Sequence, residues 1–218
     1  MPGRGAHHGC AGKPGAGGDT VIFFTSDNGG QTRHTSNAPL RSGKSSLYEG
    51  GIRVPLIVRW PAKIKADSNC QVPVSSPDFY PTMLELAGGS VRGRADLDGL
   101  SLAGILTGSR SLSHDALYWH YPHYHPSGPT SPSGAVRVGD YKLIEYFEDG
   151  RLELFNLAED LGETRDLAAE RPDTAAQLRD RLHQWRQSID ARMPAPNPNY
   201  DPARDQWLDR TRGEKSIR

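Results

Sequence analysis

The chain has 218 residues, and its 26 basic and 26 acidic side chains cancel to no formal net charge, which argues against a dedicated nucleic-acid binder, since such a domain carries a basic excess. The length suits one domain, or one domain with a smaller appendage, and no apolar run approaches the roughly 18 residues that a membrane-spanning helix needs. A hydrophobic content of 35% with 24 Gly and 17 Pro describes a polar, loop-rich chain that is still not depleted enough to be disordered throughout.

Residues 1–18 hold seven glycines and two prolines and have neither the apolar stretch of a secretory signal nor the makings of a core element. They read as a disordered Gly-rich tail, or as unrelated sequence in front of a chain that starts inside a larger protein. The pair His7 and His8 lies in this tail and carries no assignment. Two cysteines, Cys10 and Cys70, make at most one bridge and no disulfide framework.

At residues 20–25, TVIFFT is a continuous apolar run, which predicts a strand covered on both faces of a parallel sheet. Residues 26–51 are rich in Gly, Ser, Asn and Arg without sustained period, and an ordered loop of that length is usually functional. VPLIVRW at 54–60 predicts a second strand, near an edge because of Pro55. A helix capped by Ser76 begins at Pro77 and runs to about Ala87, stopped by Gly88 and Gly89. Ser101 to Leu106 forms a short helix. Residues 116–121, 134–138, 141–147 and 151–155 then read as short strands. Gly139-Asp140 and Glu148-Asp149-Gly150 separate the last three as antiparallel hairpins. Residues 172–191 are helical, with Leu178, Leu182, Trp185 and Ile189 forming one apolar stripe that covers a face of the small sheet. From Met193 the chain is Pro- and Asn-rich and extended. The charged residues around 159–171 and 179–186 read as wet faces.

Three clusters could carry chemistry. Asp27 and Asn28 end the first strand, at the edge where open α/β sheets bind ligands. Their oxygens suit a hard cation such as Ca²⁺ or Mg²⁺, and Asn28-Gly29 also suits a plain hairpin turn. Ala38 to Ser45 gives A-x-x-x-x-G-K-S, a relaxed phosphate-loop pattern. It lacks the preceding strand and following helix that an NTP loop requires, so Lys44 is either a point charge for an anion or a solvated lysine. His120, His123 and His125 resemble a zinc cluster in composition only. Pro122 and Pro126 exclude a helix, and no cysteine or carboxylate lies nearby in sequence, which favours structural or substrate-rim histidines over zinc.

In order, TSDNGG, APLRSGKSSLYEGGIRVPLIVRWPAKI, SSPDFYPTMLELAG and LDGLSL resemble the sulfatase family, and VRVGDYKLIEYFEDGRLELFNLAED resembles its small C-terminal subdomain. The resemblance covers Thr20 to Pro198. It implies an α/β fold: the C-terminal part of an alkaline-phosphatase-like sulfatase sheet (19–112) and a small antiparallel subdomain packed by a C-terminal helix (113–192), followed by the Pro- and Asn-rich extended tail (193–218). It implies that Asp27 and Asn28 supply half of a divalent-metal site, usually Ca²⁺. It further implies that Lys44 touches the sulfate group, that His120 and His123 face the substrate, and that Glu49, Gly50, Gly51, Arg53 and Pro55 are structural. The implied partner is a sulfate ester, aryl or carbohydrate. Family members are often exported; this chain carries no signal of its own that fixes a compartment. The family's nucleophile is a cysteine in C-x-P-S-R or C-x-A-S-R, oxidised to formylglycine. Cys10 is followed by Ala-Gly-Lys-Pro and Cys70 by Gln-Val-Pro-Val, and neither matches. The Asp-Asp pair of the first metal ligands has no counterpart either. The chain alone is therefore expected to bind a metal weakly and to lack the covalent step.

Overall fold

The structure, a computed structural model, describes residues 16–125 and 131–201; His7, His8, Cys10 and most of the two tails lie outside them. The chain divides into two units. One is built from the described parts of Met1–Ser26 and Pro55–Asp115, the other from Asp27–Val54 and the described parts of Ala116–Arg218.

The first unit opens with one helical turn, α1 (Ala16–Asp19), followed by β1 (Ile22–Thr25). β1 pairs antiparallel with β2 (Leu56–Arg59), Phe23 opposite Val58 and Thr25 opposite Leu56. This corrects the expected parallel, doubly covered strand. The partner runs the other way, and Phe24 and Ile57 are 62% and 59% exposed. After a 3₁₀ turn at Ser76–Asp78 comes α3 (Phe79–Leu86), then α4 (Ala103–Leu106); α2 (Glu49–Ile52) belongs to the second unit. The N-cap is Ser75, one residue before the expected Ser76. The reason is Asp78: buried, it accepts the Ser75 N–H at 2.8 Å and the Leu100 N–H at 2.8 Å, and it meets His114 Nε2 at 2.9 Å. Thr82 Oγ1 in turn donates to the Asp78 carbonyl and accepts the Leu102 N–H at 2.8 Å. One carboxylate and one hydroxyl thus tie α3 to the segment that leads into α4.

The second unit is a four-stranded antiparallel meander, β3 (Leu117–Tyr121), β4 (Ser133–Val138), β5 (Tyr141–Tyr146) and β6 (Leu152–Asn156), in that order. The expected strands and both hairpins are there. Val138 faces Tyr141 across Gly139, whose φ of 57° takes the left-handed conformation a two-residue turn needs. Both faces of this sheet are covered. On one, Val136, Leu143 and Leu154 pack against Ala175, Leu178 and Leu182 of helix α5 (Pro172–Ser188), as the apolar stripe predicts. Ile189 falls past the helix end and is exposed. On the other face, Ala135, Ile144, Tyr146 and Phe155 pack against Leu47, with Tyr48 and Ile52 beside them. The loop 27–54, with its single helical turn α2 (Glu49–Ile52), is therefore an ordered layer of this unit. Each fully buried Leu, Ile or Phe in these layers contributes roughly 1.5–3 kcal/mol.

Candidate functional site

The loop owes its shape to two glycine pairs that touch. The Gly29 N–H donates to the Gly51 carbonyl at 2.9 Å, and a Cβ on Gly29 would sit 1.7 Å from the Gly50 carbonyl oxygen. No residue with a side chain fits there. Asn37 closes the middle of the loop. Its Oδ1 accepts the Gly30 N–H at 3.0 Å, and its Nδ2 donates to the carbonyls of Gly30 and Ser42 at 2.8 and 2.9 Å. The Lys44 N–H donates to the Gly30 carbonyl at 3.1 Å. Lys44 and the Asp27-Asn28 doublet are thus held on one loop, the lysine backbone hydrogen-bonded two residues past Asn28. Ser42 and Ser45, on either side of Gly43-Lys44, take φ values of 63° and 73°. Non-glycine residues adopt this left-handed conformation at a cost, and it concentrates at functional sites.

Asp27 and Lys44 are exposed, Asn28 is half-buried, and Asn28 Nδ2 meets Asp27 Oδ2 at 2.6 Å. A carboxylate beside an amide oxygen is the right chemistry for a hard cation, which takes six or more oxygens. In number the doublet falls short, and among the described residues no group of three or more His, Cys, Asp or Glu could hold a metal ion.

The structure does not bring both histidines to this loop. His120 pairs across the sheet with Gly134, which pairs with Glu145. It therefore projects from the α5 face, where Glu145 meets His183 and Arg186, and its Nε2 lies 2.9 Å from the Arg192 carbonyl. His123 is exposed and rests on Tyr121, ring centroids 4.0 Å apart, and Tyr121 belongs to the loop face.

Beneath the loop lies a cluster that the sequence reading missed. Lys142 on β5 is fully buried and bridges Glu49 Oε1 at 2.9 Å and Glu163 Oε1 at 2.7 Å. Glu163 Oε2 accepts the Glu49 N–H at 2.6 Å, and Arg53 Nη1 reaches Glu49 Oε2 at 3.1 Å. Arg41 donates to the Glu163 carbonyl at 2.9 Å while its guanidinium lies 3.9 Å over the Tyr48 ring. Tyr48 Oη donates to Glu153 Oε2 at 2.6 Å and meets Tyr146 Oη at 2.9 Å. Burial pushes the Glu163 carboxyl above the ordinary carboxylate range against the pull of Lys142. Burial, joined by the neighbouring Tyr146 and Glu153, holds the Tyr48 hydroxyl far above the ordinary phenol range. The residues around 159–171 and 179–186 are therefore not all wet: Glu163 and Arg186 are buried partners of opposite charges. One signal was present in the sequence. Lys142 stands two residues from Ile144 in a strand with a two-residue period, on the inward side.

The elements combine into an α/β chain in which an ordered loop and a helix cover the two faces of an antiparallel meander. A family model described as "N-sulphoglucosamine sulphohydrolase, C-terminal" matches residues 42–188. A "Sulfatase" of Formosa agariphila is 39% identical over 182 residues, covering 77% of this chain and 33% of its own length. Among solved structures, BT4656 in complex with its substrate D-glucosamine-2-N,6-O-disulfate superposes with a TM-score of 0.64 at 27% identity, over 78% of this chain and 35% of that one. Ps i-CgsB in complex with k-i-k-neocarrahexaose does so with a TM-score of 0.68 at 27% identity, over 92% and 43%. The chain belongs to the sulfatase family, matches its C-terminal part in an alkaline-phosphatase-like α/β fold, and spans about a third of the length of the Formosa relative. No helix among the described residues is long and apolar enough to cross a membrane.

Proposed function

We propose that the chain carries part of a sulfuric-ester hydrolase site, with Lys44 contacting the sulfate group. One observation carries this reading: Lys44 is hydrogen-bonded to Gly30, next to the Asp27-Asn28 doublet, on a loop that spends two left-handed serines on its shape. Asp27 and Asn28 would hold a Ca²⁺ ion together with ligands from elsewhere, and such an ion neutralises sulfate charge when bound. Lys44 supplies a second positive charge to the same anion. His123, exposed above the loop face, is the candidate for the substrate rim, whereas His120 holds the Arg192 carbonyl and fixes the C-terminal segment. BT4656 takes a disulfated glucosamine and Ps i-CgsB carries a neocarrahexaose, which supports a sulfated saccharide as one candidate ester beside an aryl sulfate.

A second reading concerns the chain by itself. Neither cysteine stands in the C-x-P/A-S-R context of a formylglycine precursor, so the covalent step has no attacking atom here. On this reading the polypeptide is a catalytically silent fragment, or one half of a split enzyme that needs a second chain. Turnover of a chromogenic aryl sulfate with added Ca²⁺ tests the silent reading, and sulfate binding tests the role of Lys44. The purified 218-residue chain should give none, and activity that Lys44→Ala abolishes would overturn the silent reading while supporting the sulfate role of Lys44. Inorganic sulfate titrated into the wild type should shift the Lys44 region, and an unchanged spectrum up to high sulfate would sink that role.

A further inference from the structure

We propose that Lys142 and Glu163 are positioning residues for the Lys44 loop: the buried bridge Glu49–Lys142–Glu163 sets that loop on the small sheet and so places the Asp27-Asn28 doublet and Lys44. The inference rests on the sulfate reading above for what is placed, but not for the clamp itself.

The path is continuous and short. Lys142 leaves the middle of the sheet, donates a hydrogen bond to Glu49 Oε1 and forms an ion pair with Glu163 Oε1. Glu49 is the first residue of α2, and its own N–H is held by Glu163. The same turn supplies the Gly51 carbonyl that receives the Gly29 N–H, and the Gly50 N–H donates to the Arg41 carbonyl at 2.9 Å. Glu163 holds the other flank, since its carbonyl takes the Arg41 side chain. Glu163 itself sits at φ 53°, a strained conformation that persists only where the surroundings impose it. A buried lysine between two buried carboxylates is an expensive way to fill a core, because apolar residues of similar volume are as stable or more so. Its distinct property is direction. The bridge admits one placement of α2 on the sheet, and with it one placement of Gly29, Gly30 and Lys44.

Hydrogen exchange on the full 218-residue chain tests this, with Lys142→Met, Lys142→Arg and Glu163→Gln compared with the wild type. Lys142→Met should speed exchange at the amides of Gly29, Lys44 and Gly50 by about tenfold or more, while Val136 and Leu143 within the sheet change by less than about threefold. Lys142→Arg, which keeps the charge, should recover part of the protection. A filler role would give an equal loss across loop and sheet, or none in the loop, and either result overturns the proposal. Should Lys142→Met not fold, Glu163→Gln decides on the same amides, because it keeps an acceptor for the Glu49 N–H and deletes only the charge. Affinity for inorganic sulfate, read on the same samples, separates the two claims. Selective loosening of the loop with weakened sulfate binding supports both. Selective loosening in a protein that binds no sulfate in any form upholds the clamp and overturns the sulfate reading.

Discussion

The two units of this chain are held by opposite means. In the second, a sheet of four strands is covered on both faces, and Ala135, Val136, Leu143, Ile144, Leu154 and Phe155 are all but inaccessible. In the first, two strands of four residues leave Ile22, Phe24 and Ile57 open, and order comes instead from Asp78 and Thr82, which satisfy backbone donors around α3 and α4. A run of apolar residues thus marks a demand for burial, and the demand is met only where the same unit supplies a covering layer. The comparison also locates the candidate site. The loop bearing Lys44 is laid on the well-packed unit, where displacement of one layer disturbs the next.

The largest expected effect lies in the core of the second unit. Phe155→Ala, in the centre of the second unit, should cost about 3–5 kcal/mol, measured by denaturant unfolding of the full chain followed by circular dichroism. A loss under about 1 kcal/mol would mean that the core of this unit is not what its burial implies. The next effect belongs to the polar anchor. Asp78→Ala strands two backbone N–H groups and His114 in the first unit, and an unsatisfied buried donor costs about 1–3 kcal/mol. The loss should appear as faster exchange at Ser75 and Leu100, with the β4–β5 amides unaffected.

Most of the second unit was legible in the sequence because its signals are local. Gly139 and Gly150 punctuate strands of alternating character, and Leu178, Leu182 and Trp185 recur at helical spacing. The hydrogen bonds through Gly30 and Asn37 that fold the loop bearing Asp27, Asn28 and Lys44 were not legible, because a loop of this length has no periodicity to read. Glu163 was illegible for a different reason. Its partner Lys142 lies 21 positions away (163 minus 142) in a run of charges, and nothing local distinguishes a buried charge from a solvated one. The direction of β1 was misread because a continuous apolar run speaks to burial and not to the direction of its neighbour.

A smaller effect sharpens the account of the loop face. Tyr48 and Tyr146 share Glu153, and burial raises both hydroxyls above the ordinary phenol range. A raised folded-state value means that the native chain keeps protons the unfolded chain releases. Their contribution is therefore complete below the ordinary tyrosine value of about 10 and is lost as pH rises past it. Two of the eight tyrosines should be missing from the phenolate absorbance of the native protein near pH 11 and appear on unfolding. Tyr48→Phe removes one of them and should cost about 0.5–1.5 kcal/mol at neutral pH. Full phenolate absorbance in the native state would show that this face is wetter than its packing implies.

The smallest change in stability and the clearest change in behaviour should come from Phe24→Ser. The ring is exposed, so its loss leaves no cavity, and the unfolding free energy should move by less than about 0.5 kcal/mol. Exposed apolar side chains on a short antiparallel pair that has no third strand among the described residues are, however, a template for self-association. Static light scattering over a concentration series should show the wild-type chain gaining mass while Phe24→Ser and Ile57→Lys gain less, with unfolding midpoints alike. Should all three scatter identically, the open face of the first unit would not be the sticky one, and the contrast between the units would rest on burial alone.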